Sequence, residues 1–534
     1  MNTHRQKWLR KKGYLHITPQ IDTDKHRNEL LSKLGNPNFI AKYCFYPLIH
    51  SSIKERKYKS IPQLSQKRGH SYTSEGKHFR TFKDRPLHYA THMDSLIFGY
   101  YAEKLSDAYE SKLKSQFAQI DECVIAYRRI PTDVVGKNKG TMHFAKDVFD
   151  EIKRRGEAES CSVLMFDIKS FFSRLDHKIL KDAWLYMLDQ KEFTDDHKNV
   201  FNATTKFSYI LLDDLRIKQN INGRRAGFDE RKLHEIRQEG KFAYFTSPKE
   251  FRDKIKRKEL KLFRYPFWDK KRKVPVGIPQ GLPISAVLAN IYLLKFDVDV
   301  VSLVVDKLKG FYRRYSDDIL IICRPEDVEV IKKFINDSIE KNLVKISPEK
   351  TEEYFFKVQH IGKSKKRLIS NKIWNENKNF DANDYRRYAR CQMGVPLTYL
   401  GFEFYGYQTL IKSANLSKFY RRMIKSVKNR AAQAKNLIEK EPDSKLAVFK
   451  NQLCKIYTLQ DLTKTKVKLT SKKLVRHDTD TYVMKSTVIN SPLRSNYMSY
   501  VRRVSIIMKE AKIVNQIRKH QEIFKDAIKK HLNK

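Results

Sequence analysis

The chain has no apolar run approaching the ~18 residues of a membrane-spanning helix, and its cysteines form no Cys-x-x-Cys pair. The first absence excludes an α-helical membrane protein. The second excludes a disulfide scaffold and a zinc ribbon, leaving Cys44, Cys123, Cys161, Cys323, Cys391 and Cys454 as reduced thiols of a cytoplasmic protein. The stretch from Met1 to Tyr14 is basic but lacks the apolar core of a signal peptide, so neither export nor a membrane partner is expected. Glycine and proline are sparse, 18 and 16 in 534 residues, and no repeat or low-complexity tract occurs, which excludes fibrous and disordered classes. Acidic residues are also scarce. Against 61 Asp+Glu stand 108 Lys+Arg, a net charge of +47. A solvated basic surface accounts for a modest excess; this one points to a polyanionic partner, because phosphate contacts release condensed counterions. With 12% aromatic residues, nucleic acid is the expected ligand.

The length allows two to four structural units. Apolar residues at Leu96, Ile97, Tyr100, Tyr101 and Leu105 recur near period 3.6 and predict a helix over 91–118. A short strand follows from Cys123 to Tyr127, then a helix around His143 to Arg154, where His143, like His177 further on, reads as a helix or cap residue. An apolar strand runs from Ser162 to Ile168. Residues 181–262 are polar and resemble an insertion or enlarged subdomain. Gly277-Ile278-Pro279-Gln280-Gly281 predicts a turn, followed by an apolar helix from Ser285 to about Val305. A hairpin over 311–323, an amphipathic helix from Pro325 to about Glu340, a strand near Val344 and a strand-like hairpin from Tyr399 to Tyr407 complete the middle of the chain. Residues 411–534 carry 30 Lys/Arg against 9 Asp/Glu and read as mostly helical. Their last segment, Val501 to Leu532, keeps an apolar stripe through Val504, Ile507, Val514, Ile517, Phe524 and Ile528.

Chemistry concentrates at Tyr315-Ser316-Asp317-Asp318, set between the apolar runs of the predicted hairpin. Neighbouring strand side chains point to opposite faces, so both aspartates serve one site only at a tight turn. A carboxylate pair at such a tip is half of a site for a hard divalent cation. Asp167, which ends the apolar strand Val163–Phe166, supplies a third carboxylate. Three carboxylates meet the needs of a two-metal site that activates an attacking hydroxyl and steadies a leaving pyrophosphate. Adjacency of acids alone is not the signal. Asp195-Asp196 and Asp213-Asp214 are also paired, and both read as solvated or capping acids, since no apolar strand follows them.

Across roughly residues 80–410 the motifs resemble, in order, those of a reverse transcriptase. Phe166-Asp167 through Phe172 resembles the first palm motif. Gly277 to Ser285, continuing through Leu288-Ala289-Asn290-Ile291-Tyr292, resembles the Pro-Gln-Gly motif of group II intron and retron enzymes. Tyr315 to Asp318 resembles the Tyr-x-Asp-Asp box, Ile346 to Thr351 the fourth motif, and Tyr399-Leu400-Gly401-Phe402 the primer grip. The resemblance implies an α+β right-hand polymerase of fingers and palm with a basic, mostly α-helical, thumb-like C-terminal region. It divides the chain into fingers at 1–160, palm at 161–410 with an insertion at about 181–262, and the helical region at 411–534.

Residue roles follow from the same resemblance. Asp167 and Asp317 would be the main ligands of two Mg²⁺ ions, with Mn²⁺ as an alternative, Asp318 supporting and Ile168 lending a backbone carbonyl. Phe172, five residues after Asp167, would be the steric gate that favours dNTPs, with Phe171 pointing into the core. Gln280 and Gly281 would meet the incoming nucleotide, and Lys350 would protonate or neutralise pyrophosphate. Arg85, Arg128 and Lys137 are candidates for the triphosphate; Tyr399, Leu400 and Gly401 would hold the primer.

Segments Arg85 to Asp94, Val124 to Ile130 and Phe144 to Phe149 resemble the fingers of bacterial defence-associated, or unknown-group, reverse transcriptases. That implies antiphage defence, a structured non-coding RNA partner and a cDNA product, with homo-oligomerisation and the priming group left open. Alternatives are a group II intron-type or retron enzyme, or a non-catalytic RNA-binding or splicing cofactor. An RNA polymerase on the same palm is disfavoured by Phe172.

Overall fold

The helix expected from residue 91 runs from His92 to Gln116 in the computed structural model. Its start is fixed by the Thr91 hydroxyl, which accepts from the Asp94 amide at 3.3 Å. Leu96, Ile97, Tyr101 and Leu105 are buried as the periodicity demands, while Tyr100 lies edge-on to Trp8 with ring centroids 5.7 Å apart. The structure describes residue 6 and residues 8–532 apart from 57–58, 62–63, 135, 217–226, 265, 362–364, 374–391, 441–449, 460–466, 477–481 and 492–495. Cys391 lies outside the described residues. Among them, no helix is long and apolar enough to cross a membrane.

The chain forms two units. The first comprises Met1–Arg128, Met165–Ile321 and Glu329–Thr351; the second comprises Arg129–Leu164, Ile322–Val328 and Glu352–Lys534. The chain passes from one to the other inside two strands, Ser160–Asp167 and Asp318–Cys323.

In the first unit a four-stranded sheet has the order Phe82–Tyr89, Leu48–Arg56, Ser208–Leu211, Phe263–Arg264. Leu48–Arg56 pairs antiparallel with Phe82–Tyr89 and parallel with Ser208–Leu211. The polar segment 181–262 is therefore woven into this unit. It supplies the Ser208–Leu211 strand, and its Ile210, Phe245, Phe251 and Leu260 pack with Ile17 and Ile49 in one apolar cluster. The expected helix after Ser285 forms as Ser285–Tyr292 and Leu294–Val300, then widens into a π-helical turn over Val301–Lys307.

Two short strands expected here are single bridges. Val124 bridges Arg314, and Tyr127, at φ +63°, turns the chain away before a ladder can extend. Near Val344 the only pairing is between Ile346 and Ile168. Of the two readings offered for Asp196, solvated or capping, the first does not hold, and the residue sits in the first turn of the Asp195–Thr205 helix. It is buried, accepting from the Tyr101 and Thr194 hydroxyls at 2.5 Å each.

In the second unit the Thr141–Ala158 helix buries Phe144, Val148, Phe149 and Ile152 along one face. His143 Nδ1 accepts from the Gly140 amide at its start, as a cap residue should. Phe149 stacks on Phe404 with centroids 4.5 Å apart. Strands Leu397–Tyr399, Phe402–Phe404 and Thr409–Ile411 form a three-stranded sheet, one strand more than the predicted hairpin. The C-terminal region contains the helices Ser413–Lys440, Lys450–Tyr457, Tyr497–Met508 and His520–Leu532. It also contains an unexpected antiparallel ribbon, Val467–Arg476 with Tyr482–Ser491. Lys509, left-handed at φ +52°, ends one helix and shifts the phase of the apolar stripe. Ile513 is buried in consequence, and Val514 is 38% exposed.

Candidate active site

The aspartate pair sits where Phe311–Tyr315 turns into Asp318–Cys323, a hairpin lying beside the strand that ends at Asp167. Ile319 to Ile322 are fully buried, anchoring the turn from one side. Ser316 takes the left-handed conformation at φ +61°, which makes the tight reversal. Its carbonyl accepts from Arg314 at 3.2 Å, and its hydroxyl accepts from Tyr127 at 3.2 Å.

Backbone bonds join the two acidic segments. The Ile168 amide donates to the Asp317 carbonyl at 3.0 Å, and the Asp167 carbonyl accepts from the Ser347 amide at 2.8 Å. Lys350 Nζ reaches the Asp167 carboxylate at 2.5 Å. Four predicted residues, Asp167, Asp317, Asp318 and Lys350, thus converge with Ile168 beside them.

The electrostatics follow from this crowding. Burial, followed by repulsion from Asp317 and Asp167, pushes the Asp318 carboxyl up to about 6, while Lys350 and Lys83 oppose the rise. Asp317 is raised by burial and then by Asp167. Oxygen donors that repel one another suit a hard divalent cation, which relieves the repulsion. Among the described residues no three His, Cys, Asp or Glu side chains form a ready-made cage.

The Gly277–Gly281 loop is stitched in place on two sides. The Ile278 amide donates to the Phe172 carbonyl at 2.8 Å, the Gly277 amide to the Leu175 carbonyl at 2.7 Å, and His177 Nε2 contacts the Gly277 carbonyl at 2.8 Å. On the other side the Gln280 carbonyl accepts from the His88 amide at 2.9 Å. Gly281 has φ +119°, and a Cβ there would lie 2.6 Å from the His88 carbonyl oxygen. Only glycine allows this approach. Phe171 is buried, as expected of the core ring, and Phe172 is half-buried.

The fingers candidates separate. Arg85 lies on Phe82–Tyr89, exposed and 3.6 Å from Glu55. Arg128 is committed to the scaffold: its side chain is 4% exposed and bound by Glu110, by Asp121 and by the Val124 carbonyl at 2.9 Å. A guanidinium so enclosed has no donors to offer a triphosphate, so Arg128 is a structural residue. Lys137 lies on an exposed loop of the second unit.

Lys83 was missed. Burial, then repulsion from Arg85 and Lys350, lowers its pKa, while Asp167 and Asp317 pull the other way. Lys83 therefore lies within electrostatic reach of the acidic centre. The signal was one strand period away, because Lys83 and Arg85 share a face of the same strand. The primer-grip candidates belong to the second unit, where Leu400 and Gly401 at φ +44° and +93° form the two-residue turn after Tyr399.

Residues 225–404, a third of the chain, match the family described as Reverse transcriptase (RNA-dependent DNA polymerase). The matched span holds Gln280, Asp317, Asp318, Lys350 and Tyr399–Gly401, and begins after Asp167 and Phe172. No curated protein matches the chain. Among solved structures it is similar to apo telomerase from Candida tropicalis truncated from its C-terminal domain, at 12% identity over 74% of this chain and 61% of that one, TM-score 0.33. It is also similar to telomerase from Candida albicans in complex with the TWJ fragment of telomeric RNA, at 10% identity over 96% and 65%, TM-score 0.34. The chain spans less than two thirds of the length of either. On an α+β scaffold of fingers and palm, with thumb-like C-terminal helices, residues 225–404 match the reverse transcriptase family.

Proposed function

We propose that the protein is an RNA-directed DNA polymerase that makes cDNA from dNTPs. The observation that carries this reading is the convergence of Asp167 with Asp317 and Asp318, with Lys350 on the first of them. Asp167, Asp317, Asp318 and the Ile168 carbonyl would hold Mg²⁺, or Mn²⁺ in its place. Two such ions, when bound, activate a primer 3′-hydroxyl and offset charge on the departing pyrophosphate.

The remaining work belongs to the chain's own residues. Gln280 contacts the incoming nucleotide, and Gly281 lets the backbone approach it closely. Phe172 shuts out a ribose 2′-hydroxyl. Lys350 neutralises or protonates pyrophosphate, and Lys83 and Arg85 receive the triphosphate, with Lys137 as a further candidate. Tyr399, Leu400 and Gly401 hold the primer strand. Positioning and charge complementarity are the main contributions a protein makes to such a reaction.

The proposed setting is cytoplasmic antiphage defence on a cognate structured non-coding RNA. It is supported by the resemblance of Arg85–Asp94 and Val124–Ile130 to defence-associated enzymes and by the +47 net charge. Primer extension on an RNA template with purified protein tests the chemistry. Changing Asp317→Asn together with Asp318→Asn should abolish synthesis and phage protection; protection that survives would remove DNA synthesis as the effector step. Sequencing the RNA and DNA that co-purify with the protein identifies template and product.

A further inference from the structure

Two non-glycine residues with left-handed backbone meet at the turn that presents Asp317 and Asp318. Ser316, at φ +61°, makes the reversal; Tyr127, at φ +63°, follows the buried segment Val124–Ala126. The Tyr127 hydroxyl donates to the Ser316 hydroxyl at 3.2 Å, and its ring lies 6.5 Å from that of Tyr315.

Left-handed backbone is costly for a residue bearing a Cβ. Among the described residues Tyr127 is the one aromatic residue that adopts it. Burial does not account for this, because Tyr127 is 51% exposed. The conformation is imposed from both sides. Upstream, the Ile125 amide donates to the Arg314 carbonyl at 3.0 Å, and the Ala126 carbonyl accepts from Asn290 Nδ2 at 2.9 Å. Downstream, Arg128 is enclosed by Glu110 and Asp121 and donates to the Val124 carbonyl at 2.9 Å. Neighbours fixed in this way hold a strained residue in place, and such strain clusters at functional sites.

Ser316 is held at two points. Arg314, on the same hairpin, donates to its carbonyl, whereas Tyr127 reaches its hydroxyl from a segment anchored outside the hairpin on Asn290 and Glu110. We infer that Tyr127 is a positioning residue: acting through Ser316, it fixes the pose of the Asp317–Asp318 turn and so sets how tightly these carboxylates hold a divalent cation. The inference rests on the metal site of the polymerase reading and adds a residue to which that reading gave no role. Carboxylates that repel one another separate when their turn is loosened, and a separated pair grips a cation less well.

The test reads cation binding as well as synthesis. Mn²⁺ is titrated into the full chain and the free ion is followed by electron paramagnetic resonance. Asp317→Asn with Asp318→Asn defines the binding that belongs to this site. Tyr127→Phe and Ser316→Ala each remove one hydroxyl. Each should weaken Mn²⁺ binding at the site by roughly 2- to 10-fold, the worth of one hydrogen bond. The melting temperature of the metal-free chain should stay within about 3 °C of the parent. The double variant should bind no more weakly than either single one, since both remove the same bond. In primer extension the Mg²⁺ concentration for half-maximal rate should rise by the same factor.

Unchanged Mn²⁺ binding in Tyr127→Phe, additive losses in the double variant, or a loss that tracks a falling melting temperature would overturn the inference and leave the metal site standing. A parent chain with no Mn²⁺ binding that depends on Asp317 and Asp318 would overturn the metal site, and the inference with it.

Discussion

Arg314 and Asp297 form a two-pronged ion pair at 2.6 and 2.7 Å, and neither side chain is exposed to any degree. Asp297 also accepts from the Tyr312 hydroxyl at 2.6 Å, while Arg314 donates onward to the Ser316 carbonyl and, at 3.4 Å, to Asn290 Oδ1. The pair therefore links the Leu294–Val300 helix to the turn that presents Asp317 and Asp318. Burying two charges is costly, and this geometry offsets the cost by satisfying both partners.

Removing one partner exposes that cost. Asp297→Ala leaves a guanidinium buried without its counter-ion, and should destabilise the protein by about 3–5 kcal/mol. Denaturant unfolding measures the loss. A change below about 1 kcal/mol, the range of an exposed pair, would contradict the buried assignment.

Gly281 and His88 give a second test, this time of the Gly277–Gly281 loop proposed to meet the nucleotide. A methyl group at Gly281 would lie 2.6 Å from the His88 carbonyl oxygen, on a backbone at φ +119°. Gly281→Ala must displace the loop, and a displacement near 1 Å at a reacting centre can cost about 100-fold in rate. Primer-extension kcat should fall by that order, whereas Gly13→Ala, where an added Cβ meets nothing within 4 Å, should leave kcat unchanged.

Asp94 makes stability depend on pH. Burial raises its carboxyl to about 6, against hydrogen bonds from the Tyr43 hydroxyl at 2.8 Å and the Tyr46 amide at 3.1 Å. An acid whose pKa is higher in the folded state binds more protons there. Its contribution is most favourable below the ordinary 3.8 and is lost as pH rises to about 6. Asp94→Asn lacks this titration. The stability difference between variant and parent should shift in the variant's favour by up to ~3 kcal/mol between pH 4 and 7. Unfolding free energies across that range check it, and a constant difference would contradict it.

Much of this was legible in the chain because local pattern and tertiary context agreed. The His92–Gln116 helix followed its apolar period, and the hairpin at Asp317 was announced by apolar runs around a polar turn. The ribbon of Val467–Arg476 with Tyr482–Ser491 was missed because the basic region 411–534 was read as mostly helical throughout, although Val467, Leu469, Val483, Val488 and Ile489 favour strands. Arg128 was misjudged for a different reason. An arginine awaiting phosphate and one enclosed by Glu110 and Asp121 look alike until the partners are seen. Lys83 shows the converse, since no motif marks it and only the fold brings it within electrostatic reach of Asp167 and Asp317.

The proposed gate at Phe172 gives the most discriminating test of substrate class. Its backbone carbonyl accepts from the Ile278 amide at 2.8 Å, which ties the residue's backbone to the same loop that carries Gln280. Phe171, 5.6 Å away by ring centroid, is buried and acts as the anchor. Phe172→Ala removes the half-buried ring without emptying the core. Selection against ribonucleotides should drop by at least 10-fold in kcat/KM for rNTP relative to dNTP, because a steric clash disappears and no hydrogen bond is lost. Phe171→Ala should instead lower stability by about 3–5 kcal/mol, as a buried phenylalanine does. Unchanged sugar selection in Phe172→Ala would remove this residue from the nucleotide site and reopen the choice between DNA and RNA synthesis.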